Sequence, residues 1–129
     1  MKSKVSSGNQ AENWVRKWLI DKDYSVHRSQ RSFFKFPSGK IIAHSNDILN
    51  CIDILAIKKG EKPRFIQVTK HSGMSEKIKK LSKVDWDFDY CSVEVWHNPA
   101  TGRWRLLKYD GKELKPYAEI QRGVYLEIK

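Results

Sequence analysis

The sequence has little cysteine. Cys51 and Cys91 are the only two among 129 residues, and both stand in apolar, strand-like stretches. A zinc site would need further ligands at suitable spacing, and the four histidines do not show that spacing. We therefore expect both cysteines to be buried free thiols.

Long apolar runs are missing as well. No stretch approaches the ~20 residues that a membrane-spanning helix needs. The first four residues read MKSK and contain no apolar signal region. Internal repeats and low-complexity segments are also absent. We expect a cytoplasmic protein that has no membrane partner.

Several motifs of catalysis and ligand binding are absent too. No glycine-rich phosphate-binding loop and no nucleophilic triad stand out. Asp85, Asp87 and Asp89 alternate with aromatic residues, but they lack the glycine and the later glutamate of a calcium-binding loop. The sequence therefore points away from P-loop, triad and calcium-loop chemistry.

What the sequence has in excess is positive charge. Twenty-five lysines and arginines stand against 15 acidic residues, which gives a formal net charge of +10. Such an excess on a small protein attracts polyanions, and nucleic acid is the first candidate. An anionic membrane surface is a weaker alternative, because no basic amphipathic helix with a free apolar face is visible. Charge that serves solubility alone is the other alternative.

Length and composition predict one domain. A chain of 129 residues is close to the commonest domain size, and 40% hydrophobic residues suffice for one core. We therefore expect a single domain over residues 1–129, with residues 1–6 as a flexible basic tail.

The first part of the chain predicts a helix, a strand and an insertion. Ser7 and Gln10 fit a capping box that would start a helix, and apolar residues follow at helical spacing until about residues 21–23. Residues 24–28 alternate like a strand. Residues 29–50 contain three phenylalanines and a turn, which favours a flap or hairpin insertion.

The rest of the chain predicts further strands and one helix. Residues 51–57 and 64–70 are typical of a β-hairpin, and residues 74–84 of a helix with apolar residues on its inner side. Residues 91–96 and 103–109 predict a second hairpin, and residues 124–126 an edge strand. This order predicts an α/β fold in which helices flank a mixed central β-sheet.

Two polar residues interrupt the apolar strands of the first hairpin. A carboxylate such as Asp53 is costly inside an apolar strand unless it is paired or binds a metal. Gln67 interrupts the neighbouring strand in the same way. Two oxygen donors on adjacent strands suit Mg²⁺, which prefers oxygen ligands and keeps several waters. The backbone carbonyl of Val68 is a further candidate ligand.

Glu12 is the third candidate ligand. It lies at the border of the apolar stripe of the first helix, from which it can point into a groove beside the sheet. The alternative is a surface glutamate that favours the positive N-terminal end of the helix. The pattern supports both interpretations equally.

These segments together resemble a known family. Residues 7–12 read SGNQAE, Arg28 ends the next strand, residues 51–57 read CIDILAI and residues 65–69 read FIQVT. In order and spacing they resemble archaeal Holliday junction resolvases of the PD-(D/E)XK nuclease superfamily. Those proteins carry an Ala-Glu pair on the first helix, a "D-I-hydrophobic-A" metal-binding strand and an acidic-x-Lys strand. The resemblance covers roughly residues 7–28 and 51–84.

The resemblance implies a fold and a chemistry. It implies a restriction-endonuclease-like α-β-β-β-α-β core and metal-dependent hydrolysis of phosphodiester bonds with Mg²⁺ (or Mn²⁺). Asp53 would hold the metal, Gln67 would replace the usual acidic ligand, and Glu12 would bind the metal directly or through water. The DNA substrate would be branched or structured, and a homodimer is suggested because related resolvases form one.

The sequence departs from the family at the catalytic lysine. Thr69 stands where the family carries lysine. Lys70 is the nearest substitute, but strand alternation sends it to the opposite face unless a bulge intervenes. Lys77, on the following helix, is the other candidate. Without such a cation the phosphate and the attacking water lose an electrostatic partner.

The expected function follows in two versions. We expect a Mg²⁺-dependent DNA endonuclease, or alternatively a catalytically inactive nucleic-acid-binding module that has kept the fold. A scaffold whose basic face meets an acidic protein is a third hypothesis. The side chains expected to track DNA phosphates are Arg16, Arg28, Arg31, Lys35, Lys79 and Lys80.

Overall fold

Two helices and nine strands make up the described part of the protein. The structure, a computed structural model, describes residues 4–28, 31–35, 37–38, 41–45, 48–49, 51–70 and 73–128. The helices are α1 (Lys4–Asp21) and α2 (Met74–Leu81). The strands are β1 (Ser25–Arg28), β2 (Arg31–Lys35), β3 (Ile41–Ser45), β4 (Ile54–Ile57), β5 (Arg64–Thr69), β6 (Ser92–Ala100), β7 (Arg103–Tyr109), β8 (Leu114–Gln121) and β9 (Val124–Glu127).

Seven of these strands form one mixed sheet in the order β1-β4-β5-β6-β7-β8-β9. The β5–β6 pair is parallel, and the other neighbouring pairs are antiparallel. A parallel pair needs a crossover connection, and α2 lies in the segment that joins β5 to β6. Strands β2 and β3 form a separate two-stranded antiparallel sheet within residues 29–50.

The first core lies between α1 and one face of the sheet. Val15 and Leu19 are fully buried on α1, one helical turn apart. They pack with Ile54, Ile66 and Leu106 from three strands, and Trp14 stacks on Trp104 with ring centroids 4.9 Å apart. The apolar stripe of α1 therefore determines the face against which the helix packs.

The second core lies on the opposite face, under α2. Leu81 is fully buried, and Met74 and Ile78 pack beside it. Their partners include Val93 and Val95 of β6. These two side chains point away from α1, because strand alternation gives them the face opposite to that of Trp96, which packs in the first core. One helix thus covers each face of the sheet, and the expected mixed α/β domain with flanking helices is confirmed, although strands contribute more residues than helices.

Several element boundaries differ from those expected. Helix α1 begins at Lys4, three residues before Ser7, so Ser7 and Gln10 lie inside the helix and do not cap its start. No proline prevents the helix from extending toward residue 4. Helix α2 ends at Leu81, its last buried apolar residue, and not at residue 84.

Strand β8 was not expected from the sequence. Lys115, Pro116 and Glu119 break the alternation that indicates a strand, and proline is rare inside sheets. The structure accommodates Pro116 at a register shift, where Leu107 pairs with Pro116 and Leu106 pairs with Ala118. Tyr117 is therefore the extra residue of a β-bulge.

The two cysteines differ in their burial. Cys51 is buried and Cys91 is half-buried, and both are free thiols, so the expected burial holds for Cys51 only. Neither described helix combines the length and apolar character that crossing a membrane requires.

Candidate metal centre

Asp53 lies directly before β4 and outside the strand. Its backbone N–H donates to the carbonyl of Ile66 at 3.0 Å, and its Oδ2 accepts the backbone N–H of Val68 at 2.8 Å. The carboxylate thus satisfies a β5 donor at the point where pairing with β4 ends. Asp53 is half-buried, so the structure gives this carboxylate a backbone partner and leaves it partly open to solvent.

Gln67 lies opposite Asp53 on β5. The β4–β5 register pairs Ile54 with Ile66, so its continuation by one residue places Asp53 opposite Gln67. The Gln67 side chain is only 7% exposed, and its Oε1 has no hydrogen-bond partner among the described residues. An unsatisfied buried acceptor costs about 1–3 kcal/mol. Such an atom in a native fold calls for an explanation such as a bound water or ion.

Glu12 and Arg28, two residues expected in different roles, form an ion pair. Arg28 Nη2 lies 2.8 Å from Glu12 Oε2, and Nη1 donates to Asn13 Oδ1 at 2.7 Å. Arg28 is two residues from Val26, which packs against the α1 core, so the pair lies on the α1 side of the sheet. Gln67 follows Ile66 of the same core and therefore faces the α2 side. Strand alternation thus separates Glu12 from Gln67.

Thr69 and the two lysines expected to replace the family's lysine differ in burial. Thr69 is 7% exposed and shares the face of Gln67. Lys70 is exposed, and the β5–β6 register runs without interruption from Arg64 to Thr69, so no bulge within this range turns Lys70 toward Gln67. Lys77 is half-buried on α2, close in sequence to the inner residue Ile78.

The other residues expected to contact DNA are spread over the molecule. Arg16 is half-buried on α1, and Lys79 and Lys80 are exposed at the end of α2. Arg31 and Lys35 lie on β2, with their side chains outside the described part of the structure. The described residues therefore present basic side chains from both helices.

His97 is a candidate that sequence spacing did not indicate. It lies on β6 opposite Thr69, is 5% exposed, and its Nδ1 has no hydrogen-bond partner among the residues described. Burial and the charge of Arg105 lower its pKa, although a hydrogen bond with the Lys70 backbone opposes this. A neutral imidazole nitrogen can accept a proton or bind a metal. The sequence does contain a signal for its burial. His97 follows Val93 and Val95 at two-residue spacing, so in a strand it shares a face with these apolar residues.

Within the described residues, no group of three or more histidines, cysteines, aspartates or glutamates is placed to hold a metal ion. Gln67 is an amide and Val68 offers a backbone carbonyl, so the expected ligand set contains few acids. The candidate site therefore consists of two oxygen-bearing side chains, Asp53 and Gln67. The buried His97 imidazole lies nearby on the neighbouring strand, opposite Thr69.

Searches with protein-family models, among curated proteins and among solved structures find no match to this chain. The residues and their geometry therefore carry the functional argument.

Proposed function

We propose that this protein is a metal-dependent DNA endonuclease whose metal is held by Asp53 and Gln67. The observation that carries the proposal is the buried Gln67 Oε1, which has no protein partner among the described residues and lies opposite a carboxylate. A buried oxygen in that state is satisfied by a bound water or ion, and a cation held between it and the Asp53 carboxylate would satisfy both groups.

The donor set suits Mg²⁺ or Mn²⁺. These ions take oxygen ligands, and Mg²⁺ commonly binds one or two carboxylates and keeps several waters for the substrate to displace. The Val68 carbonyl is a further proposed ligand. Glu12 is not part of this proposed ligand set, because it pairs with Arg28 on the opposite face of the sheet. When bound, the metal supplies a water of lowered pKa and stabilises the charge that develops on the phosphate.

The order of elements supports the nuclease-like core as part of this proposal. Helix α1, strands β1, β4 and β5, helix α2 and strand β6 follow one another as α-β-β-β-α-β, with the β2–β3 hairpin inserted after β1. This is the order that the resemblance to archaeal Holliday junction resolvases implies. Strands β7, β8 and β9 extend that core.

The charge of the protein supports DNA as the substrate. A net charge of +10 concentrates a polyanion at the surface, and Lys79 and Lys80 lie exposed on α2, the helix that covers the face of Gln67. Lys77, on that helix, is the proposed partner of the scissile phosphate, since Lys70 is not turned toward Gln67. Branched or structured DNA is proposed on the resemblance to resolvases.

The test is cleavage of four-way junction, duplex and single-stranded DNA with Mg²⁺, Mn²⁺ or EDTA. Asp53→Asn is the informative variant, because its amide oxygen can still accept the Val68 N–H while the charge is lost. We expect metal-dependent cutting that falls ~100-fold or more in this variant. Asp85→Asn, an exposed aspartate in the α2–β6 connection, is the matched control and keeps full activity. Absence of cutting with every metal and DNA would refute the proposal.

Metal binding gives a readout that does not depend on cleavage. Mn²⁺ at about 100 times its Kd should stabilise the fold by roughly 2.7 kcal/mol, which thermal unfolding detects. Gln67→Met and Asp53→Asn should abolish this stabilisation. Equal stabilisation in the wild type and both variants would place the metal elsewhere.

A non-catalytic nucleic-acid-binding module is the second candidate. The observation that favours it is Thr69, buried at the position where the resemblance calls for lysine. Tight DNA binding without cutting in any metal would support this candidate over the nuclease.

A further inference from the structure

A cavity of about 690 Å³ opens on the α1 face of the sheet, beside the first residues of β5 and β6. Neither Asp53 nor Gln67 lines it. Pockets of about 300–1,000 Å³ accommodate a single small ligand or one unit of a larger one. The cavity is therefore large enough for a binding site separate from the candidate metal centre.

The floor of the cavity is a closed network around Glu94. This carboxylate is 1% exposed and accepts Arg64 Nε and Nη2 at 2.7 Å each. Ser92 Oγ donates to it at 2.9 Å, Trp96 Nε1 at 3.1 Å, and the Tyr117 hydroxyl also donates. Because its charge and lone pairs are satisfied within the protein, the floor provides rigidity and leaves ligand binding to the walls and rim.

The walls are aromatic. Trp18 and Tyr24 come from α1 and the loop after it, Tyr117 comes from β8, and Tyr125 comes from β9. Tyr125 is 42% exposed, so one ring at the entrance is available to a ligand. Planar rings on several sides of a cavity favour a flat, aromatic ligand, which gains stacking energy.

The rim carries lysines that lie over these rings. Lys22 Nζ is 4.9 Å from the Trp18 ring centroid, and Lys108 Nζ is 4.8 Å from that of Tyr117. Lys58 lies over Tyr24 at 5.3 Å, and Lys62 also lines the cavity. Apart from the Arg64–Glu94 pair, the lining holds these four lysines and the glutamates Glu61 and Glu127, which leaves an excess of two positive charges.

The aromatic walls and the lysines of the rim together favour one class of ligand. Lys58 donates to the Lys22 carbonyl and Lys62 to that of Phe88, so these lysines are held at the rim with their charge still open to solvent. The excess of positive charge disfavours cationic ligands, and an apolar ligand would make no use of it. A nucleotide satisfies both features, because its base can stack on the exposed Tyr125 ring and its phosphate can meet the lysines. We propose that this cavity binds an unpaired nucleotide of a single-stranded nucleic acid, with the base against Tyr125 and the phosphate between Lys58 and Lys108.

The test is binding of a short oligothymidylate in EDTA, followed by quenching of tryptophan fluorescence, since Trp18 and Trp96 line the cavity. Tyr125→Ala should weaken binding about tenfold, in keeping with the loss of one stacked base. Tyr125→Phe should retain binding, because the ring and not the hydroxyl is required. Thermal unfolding of each variant verifies that these surface changes leave the fold intact.

A pair of double variants tests the phosphate contacts. Lys58→Gln with Lys108→Gln should weaken binding at least about tenfold, because two phosphate partners are lost. Lys83→Gln with Lys112→Gln removes the same charge from exposed residues that do not line the cavity. Equal losses in the two double variants would show diffuse attraction by net charge and would overturn the proposal.

Competition experiments distinguish a nucleotide from free phosphate as the ligand of the cavity. Thymidine monophosphate should compete and inorganic phosphate should not, since phosphate lacks the base. Competition by inorganic phosphate at the same concentration, or binding of duplex DNA or an acidic peptide in place of the oligomer, would overturn the proposal. Because the measurement is made in EDTA, oligomer binding without cleavage in any metal refutes only the endonuclease.

Discussion

Gln67 and His97 place polar atoms inside the core that α2 covers. They lie on neighbouring strands, β5 and β6, and share one face. Gln67 Oε1 and His97 Nδ1 both lack a hydrogen-bond partner among the described residues. Each such atom lowers the stability of the fold unless something outside the chain satisfies it. This is the physical reason why the metal is proposed at this position of the sheet.

Replacing the Gln67 amide measures the energetic cost of its unsatisfied oxygen. Gln67→Met keeps the length of the side chain and removes the unsatisfied oxygen. In EDTA we expect the free energy of unfolding in urea to rise by about 1 kcal/mol. Gln10→Met, on the exposed side of α1, should change it by less than ~0.5 kcal/mol. A large loss of stability in Gln67→Met would mean that the oxygen has a partner and that no ion is needed.

Glu94 gives the fold a pH-dependent contribution. Burial alone would raise its pKa, but the hydrogen bonds and charge of Arg64, together with Tyr117 and Trp96, outweigh burial and hold the pKa below its ordinary value. The unfolded chain then binds a proton more readily than the folded protein. The stability that ionised Glu94 contributes to the fold is therefore complete above the ordinary glutamate pKa of about 4.3. It is lost as the pH falls below that value.

The predicted outcome is a difference between two pH profiles. The free energy of unfolding of the wild type should fall as the pH drops from about 5 toward 3. Glu94→Gln should be less stable at neutral pH by roughly 3–5 kcal/mol, because Arg64 loses its buried partner, and its profile should be flatter over that range. Parallel profiles would contradict the assignment of this titration to Glu94.

At the scale of elements, burial decides where helix and strand lie. Helix α1 presents Val15 and Leu19 to the sheet, and the stacking of Trp14 on Trp104 ties it to β7. In β8, the bulge turns Tyr117 toward the face of Ala118, where its hydroxyl reaches Glu94. One extra residue in one strand therefore provides both a cavity wall and a donor to the cavity floor.

Adjacent residues on α1 test its packing. Leu19→Ala removes a fully buried side chain and should cost about 2–5 kcal/mol in the free energy of unfolding. Ile20→Ala removes one of similar size that is exposed, and should cost less than ~1 kcal/mol. Chemical denaturation measures both. Similar costs would mean that α1 docks through a different face.

At the scale of the whole molecule, the sheet separates two sets of polar groups. The Asp53–Gln67 pair belongs to the α2 side, and the aromatic and lysine-lined cavity to the α1 side. The net charge of +10 would favour a nucleic acid at either of the two proposed sites, because a nucleic acid releases counterions where it contacts lysine. A nucleic-acid strand that occupied the cavity and also reached the candidate metal centre would have to pass around the edge or end of the sheet.

Salt dependence measures how many lysines take part. We expect the logarithm of the affinity for single-stranded DNA to fall linearly with the logarithm of the salt concentration. Lys58→Gln with Lys108→Gln should make the slope shallower by up to about two, one for each phosphate contact removed. An unchanged slope in this double variant would place the phosphates elsewhere.

Much of the fold and half of the candidate site could be predicted from the sequence, because these features depend on local pattern. Periodicity located α1, the strands β4 and β5, and α2, and a lone polar residue in an apolar strand marked Asp53 and Gln67. The same signal marks Glu94, which stands among the apolar residues Val93, Val95 and Trp96. The role of Thr69 stays a prediction, because the effect of a missing lysine depends on cations that other elements supply.

Only the tertiary structure determined the cavity and the pairing of charges. Arg64 and Glu94 are 30 residues apart, and Arg64 and Tyr117 are 53 apart. Their meeting depends on strand order and on the β8 bulge, which no local pattern encodes. Glu12 meets Arg28 for the same reason, since α1 docks beside β1. Sequence pattern thus determined which residues are polar within apolar elements, and packing determined which of them face one another.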